Sequence, residues 1–213
     1  MQATLRRDIL DHVRFWVLLL TLAVATACTS GPQPADDGSY LEELAADRAS
    51  KDTFMAEDRD SPIPADKKSS LLPLQYFAPD PSFVVPASLK LQDDRPVFEM
   101  PTSTGTIRRM QLVGVLEFTL AGQAMTLGAF VEEGTRQIST LFVPFADVTT
   151  GSETYPAGRY LDLHPTATGY YTIDFNRAYN PYCAYNSTYE CPYPPPSNRL
   201  TVAVRAGEKA PGA

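Results

Sequence analysis

Six side chains in the C-terminal third of this sequence have the types that acid–base or ion-pair chemistry needs: Asp147, Glu153, Tyr155, Arg159, Asp174 and Glu208. They fall in three stretches, 147–162 (DVTTGSETYPAGRYLD), 174–198 (containing DFN, AYNPYCAYN and CPYPPPSN) and 206–209 (AGEK). Arg159 alternates with Leu161 and Leu163, so on a strand all three face the same way. If that face is inward, the guanidinium needs a carboxylate, because an unpaired buried charge is costly. Asp147, Glu153, Asp174 and Glu208 are the candidates. Two readings follow: a structural ion pair that fixes the 147–158 loop, or an arginine that binds a substrate carboxylate or phosphate.

Asp174 faces away from Ile173 and Phe175 and is either solvated or lines a polar pocket. Asn176, Asn180 and Asn198 have the character of residues that tie down loop backbone. Tyr179, Tyr182, Tyr185, Tyr189 and Tyr193 crowd one loop. They could stack on sugars, but the expectation is a self-packed cover over a sheet. Known catalytic patterns are missing: there is no G-x-S-x-G elbow, no phosphate-binding glycine loop and no histidine pair for zinc. His164 is the sole histidine beyond the leader, which disfavours a serine triad. The sequence thus implies no metal and no cofactor.

Three cysteines remain to be placed. Cys28 ends a leader: Arg6, Arg7 and Arg14 precede an apolar run over 15–27, shorter than the roughly 20 residues a spanning helix needs. Ala25-Thr26-Ala27-Cys28 resembles a lipobox, so Cys28 is the expected site of lipidation. Thr29 in the next position matches outer-membrane sorting if the host has two membranes. Cys183 and Cys191 are then expected to form a disulfide in an oxidising compartment. Reduced structural thiols or a redox pair are the rivals.

The elements that must position these groups are mainly β. After a tether over 28–38, Ser39 and Glu42 form a capping box for a helix over 40–55 with a thin apolar stripe. From residue 83 onward short runs at close spacing predict strands over 83–85, 89–91, 97–100, 107–120, 125–131, 138–145, 160–163, 170–175 and 200–206. Along 107–120, Leu112, Gly114, Leu116, Phe118 and Leu120 share one face and Val113, Val115 and Glu117 the other. The expected fold is an antiparallel meander, a bent sheet or open barrel, with an N-terminal α-helix over an edge or mouth. The expected organisation is a signal peptide over 1–27, a lipid-anchored linker over 28–38, a single β-rich domain over 39–209 and a disordered tail over 210–213.

The motifs together resemble a family of bacterial and archaeal domains of unknown function, numbered 1684. The matching residues begin with Lys51-Asp52, Phe54, Ser61-Pro62, Tyr76-Phe77 and Asp80-Pro81. They continue through Phe145, Asp147, Thr149, Gly151, Thr154-Tyr155 and Gly158-Arg159-Tyr160-Leu161-Asp162. They end with Asp174-Phe175-Asn176, residues 178–186, Cys191-Pro192, Asn198-Arg199-Leu200 and Ala206-Gly207-Glu208. The resemblance implies relatives in fold and carries no activity with it.

Charge narrows the function. The net charge is -7, and the leader carries three arginines against two aspartates, leaving about -8 beyond it. Such a surface repels phosphate backbones, so no nucleic-acid partner is expected. The expected function is a binding or structural module of the cell envelope, held to a membrane by its lipid, with a small molecule or glycan as ligand. The alternative is an enzyme whose Asp/Glu–Arg–Tyr pocket acts on a small anionic or glycan substrate.

Overall fold

The computed structural model describes residues 37–212. The leader, Cys28 and all but the end of the tether lie outside the described residues. Residues 41–213 form one compact unit.

The first element is helix α1 (Asp37–Glu57). It begins before the expected cap, so Ser39 lies inside its first turns. Its inward positions are Leu44, Arg48, Lys51, Asp52 and Met55, a helical stripe with apolar ends and a charged middle. This explains why the apolar stripe looked thin in the sequence. Each charged member has a partner. Arg48 Nη1 donates to the Phe77 carbonyl at 3.1 Å and its guanidinium lies 4.5 Å from the centre of the Tyr76 ring. Lys51 Nζ pairs with Glu208. Asp52 accepts the Leu74 amide at 2.9 Å. Met55 packs with Ile63, Leu74 and Tyr185 in a satellite core.

A short helix α2 (Lys68–Leu71) leads into seven strands: β1 (Val84–Leu91), β2 (Val97–Pro101), β3 (Ile107–Leu120), β4 (Gln123–Glu132), β5 (Leu141–Phe145), β6 (Arg159–Leu163) and β7 (Tyr170–Asp174). Every strand pairing is antiparallel, in the order β6-β5-β4-β3-β1-β7, with β2 continuing the β1 side of β3. The sheet is an antiparallel half-barrel, as the spacing of the strands implied.

Three expectations about the strands are corrected. The runs 83–85 and 89–91 are one strand, because Pro86 sits where β1 pairs with β7 alone and its missing N–H costs no ladder bond. Along β3 a bulge at Val113 interrupts the alternation. Leu112 therefore packs with Met110 and Phe130 on one face, while Val113, Leu116, Phe118 and Leu120 join the main core on the other. Finally, 200–206 is extended chain outside the sheet. The Leu200 amide and Val202 carbonyl bond the backbone of residues 146 and 148, and the polar groups of Val204 and Ala206 are taken by side chains, as described below.

The main core fills one face of the sheet with Leu127, Val143, Phe145, Ile173 and Phe175, closed by Leu200, Val204 and Ala206. The opposite face carries Phe98, Met110, Phe130 and Phe142. Asn198 joins the core segments from within: its Oδ1 accepts the Gly128 amide at 2.7 Å, and its Nδ2 donates to the carbonyls of Gly128 and Pro144 at 2.9 and 2.7 Å. It is fully buried. Asn198→Ala removes all three bonds and is expected to cost about 3 kcal/mol, at about 1 kcal/mol per bond. Thermal denaturation should show a fall in Tm of roughly 6–12 °C.

Candidate functional site

The six candidate residues do not gather at one place. Arg159 opens β6 with its side chain in the core, 1% exposed, as is that of Asp147. Its Nη2 donates to Asp147 Oδ2 at 3.0 Å and to the Val204 carbonyl at 2.8 Å. Its Nη1 donates to the carbonyls of Ala206 and Glu208. Asp147 Oδ1 accepts the Thr149 amide, the Thr149 hydroxyl and the Val204 amide. Burial pulls the guanidinium below its usual pKa, and the carboxylate of Asp147 opposes that pull. The pair is sealed: both Nη atoms and the Asp147 carboxylate are taken, and only Arg159 Nε is without a hydrogen-bond partner.

Glu208 is equally buried, but its carboxylate points elsewhere. It accepts from Lys51 Nζ, from the Asn180 amide at 2.7 Å and from the Tyr185 hydroxyl at 2.8 Å. Gly207, just before it, has φ +75°, and a Cβ there would stand 2.5 Å from the Ala178 carbonyl oxygen. A glycine is therefore required to turn the chain into this position. Glu153 makes an exposed fork–fork pair with Arg205 at 2.8–3.0 Å, whose hydrogen bonds hold its carboxyl below the ordinary range. Asp174 caps the turn of residues 175–177 and accepts from Arg177 Nε at 3.1 Å. Tyr155 donates to the Cys183 carbonyl at 3.4 Å. Thus Asp147 and Arg159 come together, Glu208 touches Arg159 through its carbonyl alone, and Glu153, Tyr155 and Asp174 stand apart. These groups do not converge on one open pocket.

The asparagines hold backbone, as their types implied. Asn176 brackets Asp80, accepting its amide and donating to its carbonyl, and Asn180 Nδ2 donates to the Lys209 carbonyl. Cys183 and Cys191 lie side by side as free, buried thiols, with the Cys183 amide donating to Cys191 Sγ at 3.2 Å. Among the described residues no cluster of histidine, cysteine or carboxylate groups has metal-site geometry.

The tyrosine loop is divided rather than a single cover. Tyr185 turns inward to Glu208, and Tyr193 is partly exposed on another side. Tyr179, Tyr182 and Tyr189 instead line an open cleft of about 870 Å³ between α1 and the second face of the sheet. Met110, Phe130, Phe142 and Tyr160 come from the sheet, and Lys51, Phe54 and Met55 from the helix. The rings pack edge to face: Phe142 on Tyr160 at 4.7 Å, Tyr160 on Tyr179 at 5.8 Å and Tyr182 on Tyr189 at 5.3 Å. Tyr160 donates to the Pro192 carbonyl at 2.6 Å and Tyr179 to Asp162 Oδ2 at 2.8 Å. Arg108 stands between Glu132 and Glu190 at 3.6 and 3.5 Å on the rim. The volume is that of a small-molecule pocket, and the lining is aromatic with charges at the edge.

Reading residues for chemistry alone missed this cleft. The available signal was the alternation of β6, which sends Tyr160 and Asp162 opposite to Arg159, with a second apolar face at Phe130 and Phe142.

The model of a family described as "Protein of unknown function (DUF1684)" matches residues 70–209. The chain belongs to this family. The DUF1684 fold also appears in the solution NMR structure of an uncharacterised protein from gene locus rrnAC0354 of Haloarcula marismortui. That protein is 40% identical, with a TM-score of 0.67 over 83% of this chain and 97% of its own. A comparison with curated proteins gives no match. The DUF1684 motifs now have physical roles: G-R-Y-L-D supplies the buried arginine and the cleft tyrosine from adjacent positions, and A-G-E supplies the turn and the buried glutamate.

Two measurements check this geometry. Arg159→Ala strands Asp147 in the core and should destabilise the protein by about 3–5 kcal/mol in urea denaturation. Burial, first among the causes, raises the phenol pKa values of Tyr76, Tyr160, Tyr179 and Tyr185 above their ordinary value near 10. These phenols bind protons more tightly in the folded state, so their stabilisation is complete below about pH 10 and is lost as pH rises further. Absorbance at 295 nm should therefore show these tyrosines ionising together with alkaline unfolding, after the exposed ones.

Proposed function

We propose that this protein is a binding module of the cell envelope that holds a small molecule in the cleft between α1 and the sheet. The observation that carries the reading is the contrast between the two faces. The groups suited to catalysis are spent on one another in the core or on the surface. The open volume is lined by Phe130, Phe142, Tyr160, Tyr179, Tyr182 and Tyr189, with charges at its rim. Such a lining suits a ligand with apolar faces and a polar edge, a description that glycans fit: C–H faces stack on rings while hydroxyls meet Asp162, Arg108 and Glu190.

The place of action is an envelope membrane, to which a lipid on Cys28 tethers the domain, the outer membrane facing the periplasm in a host with two membranes. Support comes from the basic start, the short apolar run and the Ala-Thr-Ala-Cys end of the leader. No helix among the described residues is long and apolar enough to cross a membrane. An Asp/Glu–Arg–Tyr enzyme has less support, because Asp147, Arg159 and Glu208 are buried, both carboxylates and both Arg159 Nη atoms are engaged within the fold, and Arg159 Nε is enclosed in the core.

Two experiments test the reading. The amphipathic fluorophore anilinonaphthalene sulfonate should bind the full chain at one site, and Thr140→Trp, which places an indole in the cleft that Thr140 lines, should abolish binding with Tm unchanged. Equal binding by both proteins would reject the cleft as the site. Separately, Cys28→Ser should move the protein out of the membrane fraction, and the wild-type N-terminal peptide should carry acyl mass.

A further inference from the structure

Cys183 and Cys191 are the one pair of nucleophilic side chains among the described residues that the fold brings into contact without giving them an ion-pair or capping role. Cys183 lies in the 3-10 turn Tyr182–Ala184, held by the Ala184 amide on the Pro181 carbonyl at 2.9 Å. Cys191 is held by the β2–β3 turn. Its amide donates to Ser103 Oγ at 3.1 Å, and its carbonyl accepts the Ser103 amide at 2.9 Å. With both backbones held, the Cys183 amide meets Cys191 Sγ at 3.2 Å. The chain between them folds on itself: the amides of Asn186 and Tyr189 donate to the carbonyls of Tyr182 and Asn186 at 3.0 and 3.1 Å. The two thiols are therefore neighbours, hydrogen-bonded to each other, with both backbones held.

We propose that Cys183 and Cys191 are a thiol–disulfide exchange site, oxidised by small-molecule disulfides that reach the pair through the cleft. Access is through Cys191, which lines the cleft, while Cys183 lies behind it. The chemistry balances without further reagents. Cys183, its own proton released to solvent, takes the proton of Cys191 as Cys191 Sγ attacks one sulfur of the incoming disulfide, giving a mixed disulfide and one small-molecule thiolate. Cys183 hands that proton to the departing thiolate and attacks Cys191 Sγ. The protein disulfide forms, and the second small-molecule thiolate departs and takes up from solvent a proton equivalent to the one Cys183 released. Two cysteine thiols are oxidised, and one small disulfide is reduced to two thiols.

The surroundings set where the proton rests before the attack. Hydrogen bonds from Cys191, then from Tyr155 and Ser103, pull the Cys183 thiol down, to about 6, against the effect of burial. The same sulfur–sulfur hydrogen bond, together with burial, pushes Cys191 up. The proton between the sulfurs thus rests on Cys191 and has an acceptor 3.8 Å from the Tyr155 hydroxyl. Both ends of the loop that the bond would close carry rings of the cleft wall, Tyr182 and Tyr189. Oxidation would hold those rings in place. The exchange itself does not depend on what the cleft binds.

The test uses the purified full chain in glutathione buffers of increasing oxidised fraction, followed by acid quenching, alkylation and peptide mass mapping. The 183–191 segment is expected to lose two hydrogens and both alkylation sites together. Cys183→Ser, which lacks both the proton acceptor and the resolving sulfur, should form no internal disulfide and should take up glutathione more slowly, as one glutathionyl group on Cys191. The oxidised protein is expected to melt roughly 5–10 °C higher, since closing a short loop restricts the unfolded chain. Amide exchange over 184–190 should slow as well. Both cysteines still alkylated at the oxidised end of the series would overturn the proposal. So would separate glutathionyl groups on each cysteine, or an oxidised form that melts no higher than the reduced one.

Discussion

One guanidinium organises the C-terminal half of this fold. Arg159 enters the core at the start of β6 and has to find partners there, since a bare charge in that environment is untenable. It takes the carboxylate of Asp147 and three carbonyls, those of Val204, Ala206 and Glu208. The last residues therefore run beside the sheet without joining it. Their polar backbone groups are satisfied partly by these side chains and partly by single backbone bonds to neighbouring loops, which meets the same requirement that a strand ladder would. Asp147 completes the arrangement by accepting the Val204 amide.

The consequences spread outward from that clamp. By holding the carbonyl of Glu208 on one side, Arg159 presents the Glu208 carboxylate on the other, where Lys51, Asn180 and Tyr185 meet it. The helix that walls the cleft is thus tied to the core through two charges in series. Tyr160, the residue after Arg159, faces the cleft with Phe142 against its ring. One dipeptide serves both faces of the sheet, as strand alternation allows. This separation explains how a core full of ionisable groups coexists with an open aromatic cleft: the former are used up within the fold, and the latter is left to solvent and ligand.

How much of this was legible from the residues depended on whether the deciding partner was near in sequence. The antiparallel β-rich class followed from strand spacing and turn residues, which are local. The Asp147–Arg159 pairing was legible as one option, because alternation with Leu161 and Leu163 turned the arginine inward. The bulge at Val113 was not legible. It arises where β3 passes from pairing with β2 to pairing with β1, and a Cβ on Gly114 would stand 2.5 Å from the Lys90 carbonyl oxygen. The segment 200–206 read as a strand because its apolar residues alternate, and only tertiary competition for its carbonyls removed it from the sheet. The cleft was hidden because it combines residues from α1, four strands and the tyrosine loop, and no short stretch contains more than a corner of it.

The match to the family model starts at residue 70, after α1 has ended. A polypeptide trimmed to that span would keep every strand and still be a poor minimal unit. Without Lys51, the anion at position 208 would sit in an apolar surrounding with neutral donors only. Without Phe54 and Met55, the floor formed by Met110, Phe130 and Phe142 would become a broad greasy surface open to water, of the kind that drives self-association. The helix belongs to the solubility of the sheet as much as to the shape of its pocket, and any shortened version would need a substitute for both.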